Sequence, residues 1–243
     1  MSHNPRYAAA FITLVAAAGL WSMGYGLTQS ANWHPQEALT LFAIAVATSR
    51  MKVKLPGLTG SMSVNLPFLL IGVAELNLME ALLVSCAAIA AQCSPKNGSK
   101  PKMSQLVFNT SLMAVATTGS WRLFHQGGYA QPAWLSGGLL LPLAVAGFFL
   151  IQTVPVSIVI TLAEGGMVRK IWTNIAQMTF PYYVLSAGMA SMVIAARQHV
   201  GWPVSLLLFP VMYGTYRSYQ GYFGRNATVE APLELAKAAA AGN

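Results

Sequence analysis

The chain has 243 residues, 55% of them apolar and only 8% charged, with no Asp, six Glu, and 14 Lys and Arg that give a formal net charge of +8. A soluble domain carries about a quarter charged residues, so this composition excludes an ordinary soluble enzyme, a disordered chain and a disulfide scaffold. It fits an all-α membrane protein, a polytopic helical bundle that fills residues 1–225 as one domain and leaves 226–243 as a polar, Ala-rich tail.

The first apolar run, Tyr7 to Leu27, follows Arg6 and is too long for the core of a cleavable signal peptide, so a retained helix is expected. A loop without Lys or Arg, Thr28 to Gln36, leads to a second run, Glu37 to Thr48, which ends on Arg50, Lys52 and Lys54. The positive-inside rule puts that loop outside and the basic cluster inside. Near 55–65, Pro56, Gly57 and Gly60 break any helix and predict an extended turn or hairpin, at the interface or buried in protein. Two short runs, Leu66 to Leu76 and Leu78 to Ala91, hinge outside near Glu75, Asn77 and Glu80 and return to Lys96, Lys100 and Lys102. The fifth run, Gln105 to Trp121, leads out to Arg122. The sixth, Trp134 to Ala163, has expected kinks at Pro142 and Pro155 and returns to Arg169 and Lys170.

A short amphipathic helix between Gly166 and Met178 is expected on the inner surface. The seventh run, Pro181 to Ala196, goes out to Arg197 and His199, and the eighth, Val204 to Tyr216, comes back to Arg217 and Arg225. The result is about eight helices, two of them short, with both termini cytoplasmic and only Arg122 and Arg197 outside. Trp21, Trp33, Trp121, Trp134 and Trp202 then fall near the outer interface, as an aromatic belt requires.

Ionisable groups within a membrane are candidates for function. Glu75 and Glu80 flank the hinge and could bind a cation, relay a proton or hold an amine; full hydration at the headgroup level is the cheaper reading. Glu164 is expected to pair locally with Arg169 and Lys170. Three amides, Asn65, Asn109 and Gln152, sit near the ends of apolar runs at intervals of 44 and 43 residues. They could converge on a polar ligand or bond one another across helices. Small residues at spacing four, Ala9, Thr13 and Ala17 in the first run and Ala187, Ser191 and Ala195 in the seventh, offer helix-packing faces.

Several chemistries find no support. The basic residues sit singly or in threes between apolar runs, so nucleic acid is not an expected partner. Cys86 and Cys93 suit packing, and His3, His34, His125 and His199 lack ligand spacing, so neither a metal nor a cofactor is expected. No catalytic constellation emerges, and without Asp a Ser-His-Asp triad is impossible, so the chain is not expected to be an enzyme.

The segments Ser49-Arg50-Met51-Lys52-Val53-Lys54-Leu55-Pro56-Gly57, Ser63-Val64-Asn65, Phe108-Asn109, Leu162-Ala163-Glu164-Gly165 and Phe180-Pro181-Tyr182-Tyr183 resemble a bacterial membrane-integral sensory region. The likeness covers roughly Leu41 to Arg225. In that family the region precedes diguanylate cyclase or HD-type phosphodiesterase modules, so the resemblance implies perception through the helices and relay through a cytoplasmic C-terminus. It also implies a bacterial inner membrane. Two departures stand out: no output module follows Arg225 in this sequence, and Gln152 stands where the resemblance implies Asn.

The leading expectation is a non-enzymatic sensory or regulatory protein of the bilayer, with a small cavity near the Pro56–Gly60 turn and the Glu75 hinge, read by a signalling partner at the cytoplasmic face. The alternatives are a solute-binding subunit resembling the membrane S subunits of energy-coupling-factor transporters, which would dock another transporter subunit, and a scaffold subunit of a membrane complex.

Overall fold

A computed structural model of the chain describes residues 5–30, 32–54, 61–94, 103–125, 139–208, 210, 211, 213–215, 217, 218 and 221. Among these the elements are α1 (Pro5–Thr28), α2 (Pro35–Ser49), β1 (Lys52–Lys54), β2 (Ser61–Ser63), α3 (Leu66–Glu75), α4 (Leu78–Cys93), α5 (Met103–His125), α6 (Leu140–Glu164) and α7 (Val168–Val200). A 3-10 turn, Trp202–Leu207, opens the expected eighth run. The architecture is therefore an all-α bundle of eight helices, two of them short. Three, over Arg6–Thr28, Leu140–Glu164 and Val168–Arg197, are long and apolar enough to cross a membrane.

The two short helices form the centre. In α3, Leu-Pro-Phe-Leu-Leu-Ile-Gly-Val is apolar on every side, and all eight residues are buried. A helix that is hydrophobic all round must be surrounded, and α2, α4, α5 and α7 all pack on it. Ile44 and Ala45 of α2, Val84 of α4, Met113 of α5 and Ala190 of α7 meet it in one core cluster.

α1 lies outside this centre, against α5, α6 and α4. In hydrocarbon, helix association depends on close packing more than on apolar transfer. Gly19 illustrates this: a Cβ there would come within 2.6 Å of the Ser111 backbone.

The Pro/Gly segment begins and ends as an antiparallel pair, with Lys52 opposite Ser63 and Lys54 opposite Ser61. Pro56, Gly57 and Gly60 themselves lie outside the described residues, as do Trp134 and the tail over 226–243.

Two expectations need correction. The amphipathic segment after Gly166 is not a separate surface helix; it continues through Pro181 into the seventh run as the 33-residue α7. Pro181 removes one backbone donor without ending the helix, as proline does in membrane helices when neighbouring elements hold both sides. Pro142 makes no kink: it lies in the first turn of α6, where an N–H has no intrahelical partner to lose. Pro155 does lie inside α6. The turn from α6 into α7 is only Gly165-Gly166-Met167, and φ of 83° and 104° at the two glycines is a conformation that side chains disfavour.

Candidate functional site

Polar side chains concentrate at the two ends of the helical centre. At one end the last turn of α7 brings Arg197 to the first turn of α2 and the last residue of α3. Its guanidinium donates to Glu37 Oε2 at 2.6 Å and also to Glu75 Oε2. The three side chains are about one-fifth exposed, at 21%, 17% and 21% for Arg197, Glu37 and Glu75.

Beside them the α3–α4 hinge is tied into the bundle. Asn77 caps α4, its Oδ1 accepting from the Glu80 N–H at 2.9 Å. The Glu80 carboxylate accepts in return from Asn77 N–H at 3.3 Å and, across the bundle, from His34 N–H at 2.7 Å. Trp121 Nε1 donates to the Leu76 carbonyl at 3.1 Å, closing α5 onto the same hinge. Arg122 lies over the Tyr25 ring, 5.3 Å from its centroid. The helix ends assigned to the outer side by charge are thus physically gathered at one end. Glu80 is not hydrated at a headgroup boundary: it is 1% exposed and serves as a capping and cross-linking carboxylate.

At the opposite end the hydrogen-bonded cluster is built of neutral side chains. Ser63, the last residue of β2, places its hydroxyl 2.7 Å from Asn65 Oδ1 and 2.8 Å from Gln92 Oε1 on α4. The Leu66 N–H, at the start of α3, donates to the Tyr182 hydroxyl of α7 at 3.1 Å. A serine hydroxyl carries one proton and cannot donate to two carbonyl oxygens at once. One of the two amides must therefore present its NH2 to Ser63 instead. Rotating Gln92 leaves Asn65 Nδ2 without a partner, as it stands. Rotating Asn65 leaves its Oδ1 without one. Either way, an amide atom of the buried Asn65 is unused. The N-terminus of α3 is otherwise closed, since Pro67 has no N–H and those of Phe68 and Leu69 bond the Asn65 carbonyl.

The three candidate amides occupy different settings. Asn65 is the N-cap residue of α3, without a side-chain cap bond. Asn109, in the second turn of α5, donates to Cys93 Sγ at 3.4 Å. Gln152, midway along α6, donates to Met113 Sδ at 3.5 Å. Gln92 and Cys93 at the end of α4 bring Asn65 and Asn109 to neighbouring positions, and Met113 lies one turn along α5 from Asn109. Among the described residues no hydrogen bond joins any two of the three.

Of the six small residues at spacing four, Ala187 packs against the core cluster. Ala9, Thr13 and Ala17 are all exposed, and α1 packs through Val15, Gly19, Ser22 and Gly26. On α7, Ala187 is half-buried while Ser191 and Ala195 are exposed; the buried face runs through Tyr182, Ser186, Met189, Ala190 and Val193. Glu164 is exposed, and the two ion pairs found among the described residues both belong to Arg197, so pairing with Arg169 or Lys170 is not observed. An apolar groove of about 490 Å³ runs between α2 and α4, with Trp33, Leu39, Phe42 and Leu83 along it and Glu80 at its polar end.

Four residues that hold these clusters escaped the reading of the sequence as site residues: Glu37, Arg197, Ser63 and Gln92. For the first two a signal existed. Threading by charge puts Glu37, Glu75 and Arg197 on one side, and a cation beside two hinge carboxylates is a natural partner. Ser63 and Gln92 carry no such mark, because neutral polar residues near run ends are common in this chain.

An all-α domain with helices long and apolar enough to cross a membrane, packed around two short central ones, defines the class. Residues 7–223 match the family model of MASE9, a family of membrane-associated sensor domains, and the chain belongs to it. No curated protein and no solved structure matches the chain.

Proposed function

We propose that this chain is the perceiving part of a bacterial signalling system, a non-catalytic inner-membrane domain that shifts its helix packing on a stimulus and is read by a partner at the cytoplasmic face. The observation that carries this reading is α7, one continuous helix with Arg197 bound to α2 and α3 at one end and Tyr182 bound to the start of α3 a few turns away. A change at the Arg197 end therefore moves the same rigid element that fixes the hairpin end. Membership in a sensor-domain family supports the reading. On the positive-inside rule the hairpin end, with Lys52 and Lys54, and both termini face the cytoplasm. The segment after Arg225 is the proposed contact with the partner.

A stimulus acts only by binding one packing state better than the other. Purification of the full chain from its own membranes in mild detergent should retain a signalling protein, and cutting the tail after Arg225 should release it. Failure to retain a partner from crosslinked membranes would count against the proposal, as would a C-terminal reporter active only on the periplasmic side. For the transport and scaffold readings, Ala9, Thr13 and Ala17 are exposed as a docking face requires, but exposure alone names no partner, so these readings stay secondary.

A further inference from the structure

The charged end holds two carboxylates on a single guanidinium. With both glutamates ionised, the triad carries one uncompensated negative charge in a site about one-fifth exposed. Facing groups do not cancel it. α7 also carries His199, exposed in its last turn. His34 precedes α2; its backbone N–H is given to Glu80 of α4, and its imidazole acts on Glu75 more weakly than Arg197 or Glu37 does. From α5, His125 stacks on Trp121 at 4.2 Å and Arg122 lies over Tyr25. Both ion pairs found among the described residues run to Arg197.

We propose that Arg197, Glu37 and Glu75 form a proton-operated clamp that holds α2 and α3 against the end of α7 most tightly when the triad holds one proton.

The sign follows from charge. One proton makes the assembled triad neutral. When the helices part, Glu75 is hydrated and loses the burial that raises its pKa in the assembled site. The assembled state therefore binds that proton more strongly than the parted state, because like charges held together resist double ionisation. By linkage, mild acid favours assembly and rising pH favours parting. At still lower pH a second proton leaves Arg197 without a carboxylate, and the clamp weakens again. Three helices respond together, since α2, α3 and α7 each contribute one member.

The clamp deepens the sensory reading by naming a stimulus, proton activity at the Arg197 end, but it is a property of the chain alone and is tested without a partner. The full chain in lipid nanodiscs is followed by backbone hydrogen exchange over residues 190–200 from pH 5 to pH 8.5, each rate divided by the intrinsic rate at that pH. Protection in the wild type is expected to fall as pH rises, by no more than about tenfold per pH unit for one linked proton. Glu75→Gln and Glu37→Gln each leave one carboxylate on the guanidinium and a neutral pair at every pH, so both should keep the acid level of protection throughout. A flat or rising wild-type profile, or variants that lose protection as the wild type does, would overturn the clamp. Loss of the proposed signalling partner with the clamp intact would instead sink the relay.

Discussion

The two ends of the helical centre solve the same problem with different chemistry. Both must hold α3, a helix too short to span a bilayer, against α7, and both use a side chain of α7 to do it. At one end Arg197 binds two carboxylates; at the other the Tyr182 hydroxyl accepts from the Leu66 N–H while Ser63 is shared between two amides. The charged end depends on net charge, and so on pH and salt. The neutral end depends on hydrogen-bond count, and its count leaves one amide atom of Asn65 over. The first arrangement suits a response to conditions in water and the second suits a fixed pivot.

The largest effect should come from the charged end. Arg197→Ala leaves Glu37 and Glu75 side by side with no cation, two partly buried like charges where there had been one excess. Removing one partner of a fully buried pair costs about 3–5 kcal/mol; partial exposure brings this down to roughly 3 kcal/mol at neutral pH. Equilibrium unfolding in mixed micelles reads the loss. Arg197→Lys should restore only part of it, because an ammonium cannot present two parallel donors to two carboxylates.

How far this arrangement was legible in the sequence depends on the range of each interaction. The α3–α4 pair was readable because its apolar runs are bounded by the Pro/Gly segment at one end and by Glu75, Asn77 and Glu80 at the hinge, all local signals. The hairpin was readable from Pro56, Gly57 and Gly60, which forbid a helix over a stretch where β1 and β2 then pair. Pro181 misled, because proline ends helices in water but is carried inside α7. The packing face of α1 was misread for a different reason. Spacing four picks out Ala9, Thr13 and Ala17 as readily as Val15 and Gly19, and only the neighbour at Ser111 decides between them. Ser63 with Gln92 and Arg197 with Glu37 are contacts between residues 29 and 160 positions apart. No local pattern records such a pairing.

At the neutral end Ser63→Ala removes the one hydroxyl that Asn65 and Gln92 both use. A lost hydrogen bond in a buried site, with a polar group left behind, costs about 1–3 kcal/mol, so a loss of about 2 kcal/mol is expected, independent of pH between 5 and 8.5. That independence separates the two ends: a Ser63→Ala loss that varied with pH would show that the hairpin end is coupled to a titrating group.

The smallest change should follow Asn65→Leu. The residue is 5% exposed, and one of its amide atoms is desolvated without a partner, a cost already present in the wild type. Its side chain makes no cap bond to α3, so the usual loss on replacing an N-cap asparagine does not apply. Leucine is of similar size, and the Ser63 proton then goes wholly to Gln92. One shared hydrogen bond is lost while one unsatisfied buried group disappears, and the two nearly cancel, within about 1 kcal/mol. Unfolding of Asn65→Leu beside Arg197→Ala under the same conditions measures the contrast directly. If Asn65→Leu proved as damaging as Arg197→Ala, the spare amide atom would have to be engaged in the native protein, and the neutral end would be a binding position rather than a pivot.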